Sequence, residues 1–238
     1  MKLPPFLSGR RPSSALPASA DKAAFVKSMF DEISPRYDLV NRIMTMRMDL
    51  AWREYAAKHL ALSSSSKVLD VACGTGDFVR LLRSMGHSCV GVDFSYGMLS
   101  SSDQQGLVQA DATALPFGDE SFDGLTCGFA LRNFVSLDVV FGEMARVLRS
   151  GAKIALVEVS RPTSPVVRQA HSLYFDHVVP AVGSFLSSSR AYNYLPQSTA
   201  YLPSEGELRA KLQAAGFTSI EVKYFLFGSA QVISTTKR

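Results

Sequence analysis

Short apolar runs of strand length recur along the chain, at residues 68–71, 88–93, 106–110, 121–127 and 153–159. The segments between them carry apolar residues at helical spacing, which predicts helices starting near Asp77, over 137–149 and over 204–215. Alternation of strand and helix in this order implies a parallel, doubly wound α/β sheet. Two further strands are expected near 220–227 and 230–235, and Gly228-Ser229 between them predicts an antiparallel hairpin. Ahead of the first strand, residues 22–60 read as helices. Phe25, Met29, Phe30 and Ile33 share one face, Ser34-Pro35 makes a break, and a second helical stretch runs through Trp52 to Leu60. These helices are expected to cap the sheet.

The first strand runs into Asp70-Val71-Ala72-Cys73-Gly74-Thr75-Gly76-Asp77. A turn that passes close beneath a ligand needs backbone without Cβ, and Gly74 and Gly76 supply it just ahead of a helix N-terminus. A dinucleotide fingerprint would place a third glycine where this chain has Val79, so an NAD enzyme is the weaker alternative. Acids follow the strands instead. Asp70 precedes the loop, Asp93 ends the second strand where it can hold ribose hydroxyls, and Asp111, followed by Ala112, can accept from the exocyclic amine of adenine. That order fits a nucleoside carrying an amino acid. Asp77 and Asp119 have equally ordinary readings as cap or turn residues, and Asp70 can orient the loop without touching a ligand.

The residues then carry a family resemblance. Phe30-Asp31 with Pro35-Arg36-Tyr37-Asp38, the loop from Asp70 to Asp77, Gly91-Val92-Asp93-Phe94-Ser95 with Gly97-Met98-Leu99, and Phe129-Ala130-Leu131-Arg132-Asn133 resemble the ubiquinone/menaquinone biosynthesis C-methyltransferases. Glu158 with Ser160-Arg161-Pro162, Tyr192 with Tyr194-Leu195-Pro196, and Ala215-Gly216-Phe217 extend the likeness, which runs from about Lys22 to the C-terminus. The glycine loop is shared by many S-adenosylmethionine enzymes; the Pro-Arg-Tyr-Asp and Leu-Arg-Asn segments are particular to this family.

The resemblance implies a class I S-adenosylmethionine-dependent methyltransferase fold, Rossmann-like, with a seven-stranded, mostly parallel sheet, a C-terminal antiparallel hairpin and an N-terminal helical cap. One domain is expected over 21–238, with the cap at 21–62 and a substrate lid inserted at 163–203. The implied reaction is C-methylation of a polyprenyl quinol, demethylmenaquinol to menaquinol. The alternatives are 2-methoxy-6-polyprenyl-1,4-benzoquinol on the ubiquinone route, and a noncatalytic S-adenosylmethionine-binding protein. Carried over by position, Asp70, Gly74, Thr75, Gly76, Asp93, Asp111, Ala112 and Gly128 are the expected cofactor residues. Gly128 stands where many relatives have serine or alanine, and Ser150-Gly151-Ala152 replaces Pro-Gly-Gly, a change expected to alter only a turn. Carbon methylation needs a ring carbon activated by loss of a phenolic proton and a methyl held in line with it. Arg132 is therefore expected to stabilise the phenolate, with Asn133 and Tyr37 fixing the ring oxygens.

Composition narrows the setting. The chain has 238 residues and no apolar stretch approaching the ~18 residues of a membrane span. Cys73, Cys89 and Cys127 suit buried thiols in a reducing compartment, and the four histidines show no metal-ligand spacing, so no metal is expected. Residues 1–60 hold ten Lys or Arg against six Asp or Glu, while 61–238 hold fifteen of each. The basic excess is thus N-terminal, a solvated face or an attraction to anionic lipid. Nucleic acid is disfavoured, because no Asn- or Asp-Pro-Pro-aromatic segment follows the fourth strand. Residues 1–20, rich in Pro, Ser and Ala, are expected to be a disordered tail. A cytoplasmic enzyme touching the inner face of the membrane follows from the implied lipid substrate; a homodimer stays open.

Overall fold

The computed structural model describes residues 19–160, 162, 194 and 197–238. Residues 1–18 of the expected tail and most of the expected lid lie outside the described residues, and Ser19 and Ala20, expected to be disordered, open the first helix. The N-terminal part holds α1 (Ser19–Ile33), a 3-10 turn (Ser34–Arg36), α2 (Tyr37–Met44) and α3 (Met48–His59). Then come β1 (Lys67–Val71), α4 (Asp77–Ser84), β2 (Ser88–Asp93), α5 (Tyr96–Ser100), β3 (Val108–Gln109), β4 (Phe122–Gly128), a 3-10 turn (Leu131–Asn133), α6 (Leu137–Val147) and β5 (Leu148–Val159). The chain closes with α7 (Glu205–Ala214), β6 (Phe217–Phe225) and β7 (Ala230–Lys237).

The seven strands form one sheet in the order β3-β2-β1-β4-β5-β7-β6. The first five are parallel, and β7 runs antiparallel between β5 and β6. The order reverses direction between β1 and β4, and the crevice outside the C-terminal ends of strands at such a switch point is where open sheets bind ligands. Successive side chains on a strand point to opposite faces, and the core divides accordingly. Leu69, Val71, Leu125, Cys127, Ile154 and Leu156 pack with α6 and α7 on one face. Val68, Ala155 and Val157 pack with Trp52, Ala56, Ala57 and Leu60 of α3 and with Phe78, Val79 and Leu82 of α4 on the other.

Several expectations sharpen. The N-terminal helices break twice, at Pro35 and again at Met46 and Arg47, whose backbones are left-handed (φ 50° and 63°). The second break turns α3 down along a face of the sheet, so this helix is a layer of the sandwich, while α1 and α2 remain over the C-terminal edge. The helix expected to end at 149 ends at Val147, and β5 starts at once at Leu148. Ser150-Gly151-Ala152 is taken into the strand as a register irregularity opposite β4, with Gly151 at φ 78°, where a turn was expected. The third strand shrinks to Val108–Gln109. α7 begins with a capping box, Ser204 Oγ accepting from Glu207 N while the Glu207 carboxylate accepts from Ser204 N.

Candidate active site

β1 ends at Val71, and the next residues leave the strand on backbone that side chains rarely adopt. Ala72, Gly74 and Gly76 have φ of 55°, 56° and 89°. Gly76 is the N-cap of α4, and a Cβ there would meet Gln104 Cγ at 3.0 Å and Ser102 Oγ at 3.1 Å. Strain of this kind collects at ligand sites, and Phe129, just past β4, repeats it at φ 60°.

The close helix-to-strand packing that a third loop glycine would provide comes from Gly91 on β2. A Cβ on Gly91 would stand 2.8 Å from Val79 Cγ2 and from Cys73 Sγ, and 2.9 Å from Leu107 Cδ2. Sequence reading saw the missing glycine at Val79 and missed its replacement, because the compensating residue sits on a different element.

Asp93 closes the loop. Its Oδ2 accepts from Gly74 N and its Oδ1 from Ser95 N, each at 2.8 Å. Burial pushes the carboxyl upward, and these two N–H donors oppose that shift by favouring the charged form. Asp31 of α1 joins from above, accepting from Ser95 Oγ at 2.6 Å and Gly97 N at 2.8 Å. It thereby fixes α1 over the start of α5, and nothing in the local sequence pattern announced that role. Asp111 is exposed and accepts from both N and Oγ1 of Thr113 at 2.8 Å, an Asx turn.

A cavity of about 360 Å³ opens over these strand ends. Gly74, Asp93, Asp111, Ala112 and Gly128 of the expected cofactor set line it, together with Tyr37 and Asn133 of the expected catalytic set. Besides these polar groups, Ala23, Val26, Phe30 and Phe134 supply apolar and aromatic wall. Such a mixture suits a ligand with polar hydroxyls and an acceptor with a flat ring. The Asn133 amide reaches the Phe129 carbonyl at 3.5 Å, and its Oδ1 accepts from the Tyr194 hydroxyl at 3.3 Å. Tyr194 is buried and packs on Phe25 at 5.3 Å, so the segment ending the insertion is tied to α1; sequence reading gave it no site role. Burial pushes the Tyr37 hydroxyl above its ordinary pKa.

The remaining expected site residues stand behind the wall. Asp70 is buried beneath the loop, accepts from Thr126 Oγ1 at 2.8 Å, and is pushed up to about 8 by burial. The Thr75 hydroxyl donates to Asp38 Oδ1 at 2.6 Å, and its carbonyl accepts from Ser102 Oγ at 2.7 Å. Arg132 is buried; it donates to Phe129 O and Ser198 Oγ, both at 3.1 Å, and forms an ion pair with the fully buried Glu158. Asp77 opens α4 and meets Arg42 at 2.6 Å, Arg80 at 3.2 Å and Arg53 at 3.6 Å. Burial alone would raise its pKa, but Arg53 and Arg42 outweigh it and hold the carboxyl low. The three thiols are buried, which pushes each of them up and leaves them unreactive.

The residues present fit a nucleoside cofactor. Gly74 sits with its missing Cβ no closer than 4.0 Å to Met98, so the loop leaves room above it, and Asp93 and Asp111 both line the cavity.

Comparison with known proteins agrees with this geometry. Among solved structures, a possible histamine N-methyltransferase of Thermotoga maritima superposes with a TM-score of 0.63 at 19% identity, over 89% of this chain and 99% of that one. The phosphoethanolamine N-methyltransferase 2 of Haemonchus contortus, in complex with S-adenosyl-L-methionine, gives 0.57 at 15% identity, over 78% and 52%. At such identities the likeness speaks for the fold alone, that of the class I methyltransferases. Closer in sequence are proteins named demethylmenaquinone methyltransferase. The one from Roseiflexus sp. (strain RS-1) is 39% identical over 95% of this chain and 99% of its own length, and the one from Staphylococcus carnosus (strain TM300) is 39% identical over 86% and 90%. The family profile matches residues 18–237, so both the glycine-loop half and the Leu-Arg-Asn wall fall within it, and the chain belongs to the ubiE/COQ5 methyltransferase family.

Proposed function

We propose that this protein transfers the methyl group of S-adenosylmethionine to a ring carbon of a reduced polyprenyl quinone, converting demethylmenaquinol to menaquinol. The observation that carries this reading is a cavity over the strand ends lined by the Asp93 and Asp111 carboxylates together with Phe30, Phe134, Tyr37 and Asn133. The near full-length likeness to demethylmenaquinone methyltransferases supports the choice of quinol.

In this reading Asp93 holds the ribose hydroxyls, Asp111 and Ala112 the adenine, Gly74 and Gly76 shape the loop with Thr75 and Asp70 supporting it from behind, and Gly128 lines the cavity beside the cofactor. The bound cofactor supplies an electrophilic methyl group and its own leaving group. The protein orients the acceptor, keeps water out and manages one proton. Tyr37, its pKa raised by burial, stays protonated at neutral pH and can donate to the oxygen that develops charge as the phenolic proton leaves. Asn133 orients the same ring through its amide. Arg132 acts from behind: burial raises the Tyr37 pKa and the charges of Arg53 and Arg132 only partly offset that rise, while the Arg132 guanidinium holds the Phe129 carbonyl that the Asn133 amide also reaches and so keeps Asn133 at the ring. Methyl transfer would form the carbon–carbon bond as the sulfur–carbon bond breaks, leaving S-adenosylhomocysteine; the methylated ring carbon would then give up its proton while the ring oxygen regains one, so the quinol is restored with one proton released overall.

The chain is one methyltransferase domain over 21–238, with α1 and α2 over the cavity and α3 on the sheet face, and the 163–203 insertion acts as a lid for the isoprenoid tail. A substrate of this kind resides in the bilayer, so the enzyme meets the inner membrane surface from the cytoplasm. Leu39 and Ile43, one turn apart on α2, and Met46 in the break after it are 54%, 43% and 66% exposed, and the exposed Arg47 adjoins them, a surface suited to anionic lipid. No helix among the described residues is long and apolar enough to cross a membrane.

The test is mass spectrometry of quinols after incubation with S-adenosylmethionine and, in one detergent mixture, demethylmenaquinol and 2-methoxy-6-polyprenyl-1,4-benzoquinol. Methylation of the first alone supports the proposal, and methylation of the second alone moves the enzyme to the ubiquinone route. Cofactor binding with neither product would mean a different acceptor or a binding protein.

A further inference from the structure

Helix α2 holds the glycine loop at two points. Asp38, in its first turn, accepts the Thr75 hydroxyl at 2.6 Å, and Arg42, one turn later on the same face, donates to Asp77 Oδ1 at 2.6 Å. Thr75 and Asp77 flank Gly76, so the helix straddles the point where the loop becomes α4. Arg42 is braced from behind by Asp49, which also accepts from Arg53 at 2.8 Å and from Thr45 Oγ1 at 2.6 Å. These are charge-assisted bonds in a largely water-free cluster, stronger than their surface equivalents.

Both ends of this clasp lead to the cavity. On the loop side, Gly74 donates to Asp93, which lines the cavity. On the helix side, Tyr37 immediately precedes Asp38 and lines the cavity beside Phe30, its ring 5.9 Å from that ring. A continuous path therefore runs from Asp93 through Gly74-Thr75 to Asp38-Tyr37. Helix α2 is eight residues long and bounded by breaks on both sides, the Pro35 turn and the left-handed Met46-Arg47 pair, so it meets α1 and α3 at turns.

We propose that Asp38 and Arg42 are positioning residues that couple the two halves of the cavity: a cofactor seated on the Gly74–Gly76 loop strengthens quinol binding beside Tyr37, and a bound quinol strengthens cofactor binding in return. The inference rests on the function proposed above. A ligand on the loop fixes Thr75 and Asp77, which fix α2 and with it Tyr37; the ordering required by the first ligand is not required again by the second. Coupling of this kind is reciprocal by linkage, so it can be read from either ligand.

The experiment is calorimetric titration of S-adenosylhomocysteine, which cannot react, into the full chain with and without saturating demethylmenaquinol bearing one prenyl unit and kept reduced. The parent protein is expected to bind S-adenosylhomocysteine about fivefold or more tightly with the quinol present. Asp38→Ala and Thr75→Val should bring that factor close to one, whereas Asp38→Asn and Thr75→Ser, which preserve the acceptor oxygen or the hydroxyl, should retain most of it. A merely structural role would weaken both affinities and leave their ratio intact; that result overturns the inference, as does a factor of one in the parent. If Asp38→Ala does not fold, Thr75→Val against Thr75→Ser makes the same comparison. Quinol that fails to bind the parent protein at all overturns the functional reading and takes the inference with it.

Discussion

Arg132 and Glu158 form a buried ion pair that joins the wall of the cavity to the end of β5. Glu158 Oε1 accepts from the Arg132 guanidinium and from Val159 N at 2.9 Å, while Oε2 accepts from Arg132 N at 3.3 Å. The same guanidinium holds the carbonyl of Phe129, the residue that leaves β4 on left-handed backbone. Leaving one partner of a buried pair uncompensated costs about 3–5 kcal/mol. Arg132→Ala and Glu158→Gln are therefore both expected to lose most of the turnover, with the cofactor Kd changed less than about threefold, because Asn133 and the field at Tyr37 depend on the pair while the glycine loop does not. Steady-state kinetics beside calorimetric affinity check this, and an Arg132→Ala enzyme of unchanged kcat would remove the residue from the mechanism.

Asp93 receives two backbone N–H groups and stands at the cavity, so its removal touches both the loop and the ligand. Hydrogen bonds to a charged group contribute about 1.5–3 kcal/mol. Asp93→Ala should weaken S-adenosylmethionine binding by roughly 10- to 100-fold. Calorimetry decides it: an unchanged Kd would sink the ribose assignment.

Gly91 has no room for a side chain, with three atoms closer than 3.0 Å to where a Cβ would lie. Two of them, Val79 Cγ2 and Leu107 Cδ2, belong to packed core side chains. Overpacking of this kind costs about 1–3 kcal/mol. Gly91→Ala should lower the Tm by roughly 2–4 °C per kcal/mol lost, read by thermal unfolding; a Tm equal to that of the parent would show that α4 and β2 can separate without cost.

Asp70 titrates near 8 in the folded chain, against an ordinary value of 3.8, because burial disfavours its charge. Between those values the native state keeps a proton that the unfolded state has released. The stability it contributes is therefore full below pH of about 4 and is lost as pH rises toward 8. Asp70→Asn removes this titration and keeps an acceptor for Thr126. Its stability relative to the parent should climb with pH by up to roughly 1.4 kcal/mol per unit between pH 5 and 7, whatever constant offset the amide brings. Denaturant unfolding across that range measures the slope, and a flat difference would mean that Asp70 is already ionised.

Much of the fold was legible because its signals are local. The β2 boundaries at Ser88–Asp93 and the start of α4 at Asp77 follow from apolar runs and glycine punctuation within a few residues. The capping box of α7 and the left-handed loop glycines belong to the same class. Less legible were elements whose limits depend on a neighbour. β5 starts five residues earlier than its apolar run because pairing of Leu148 with Phe122 draws the preceding residues into the strand. α3 turns onto the sheet because Trp52 and Leu60 find an apolar face there.

The sequence by itself determined the chemistry available: a glycine loop, an acid after each of the first three strands, and an Arg-Asn pair after the fourth. These are short-range patterns, written where the chain must turn or a ligand must approach. Only the tertiary structure decided how the charges are spent. Arg132 pairs with Glu158, Arg42 and Arg53 with Asp77, and Thr75 with Asp38, across separations that no local period encodes. An ion or hydroxyl removed from water must find a partner wherever the fold brings one within reach, and that reach is set by packing.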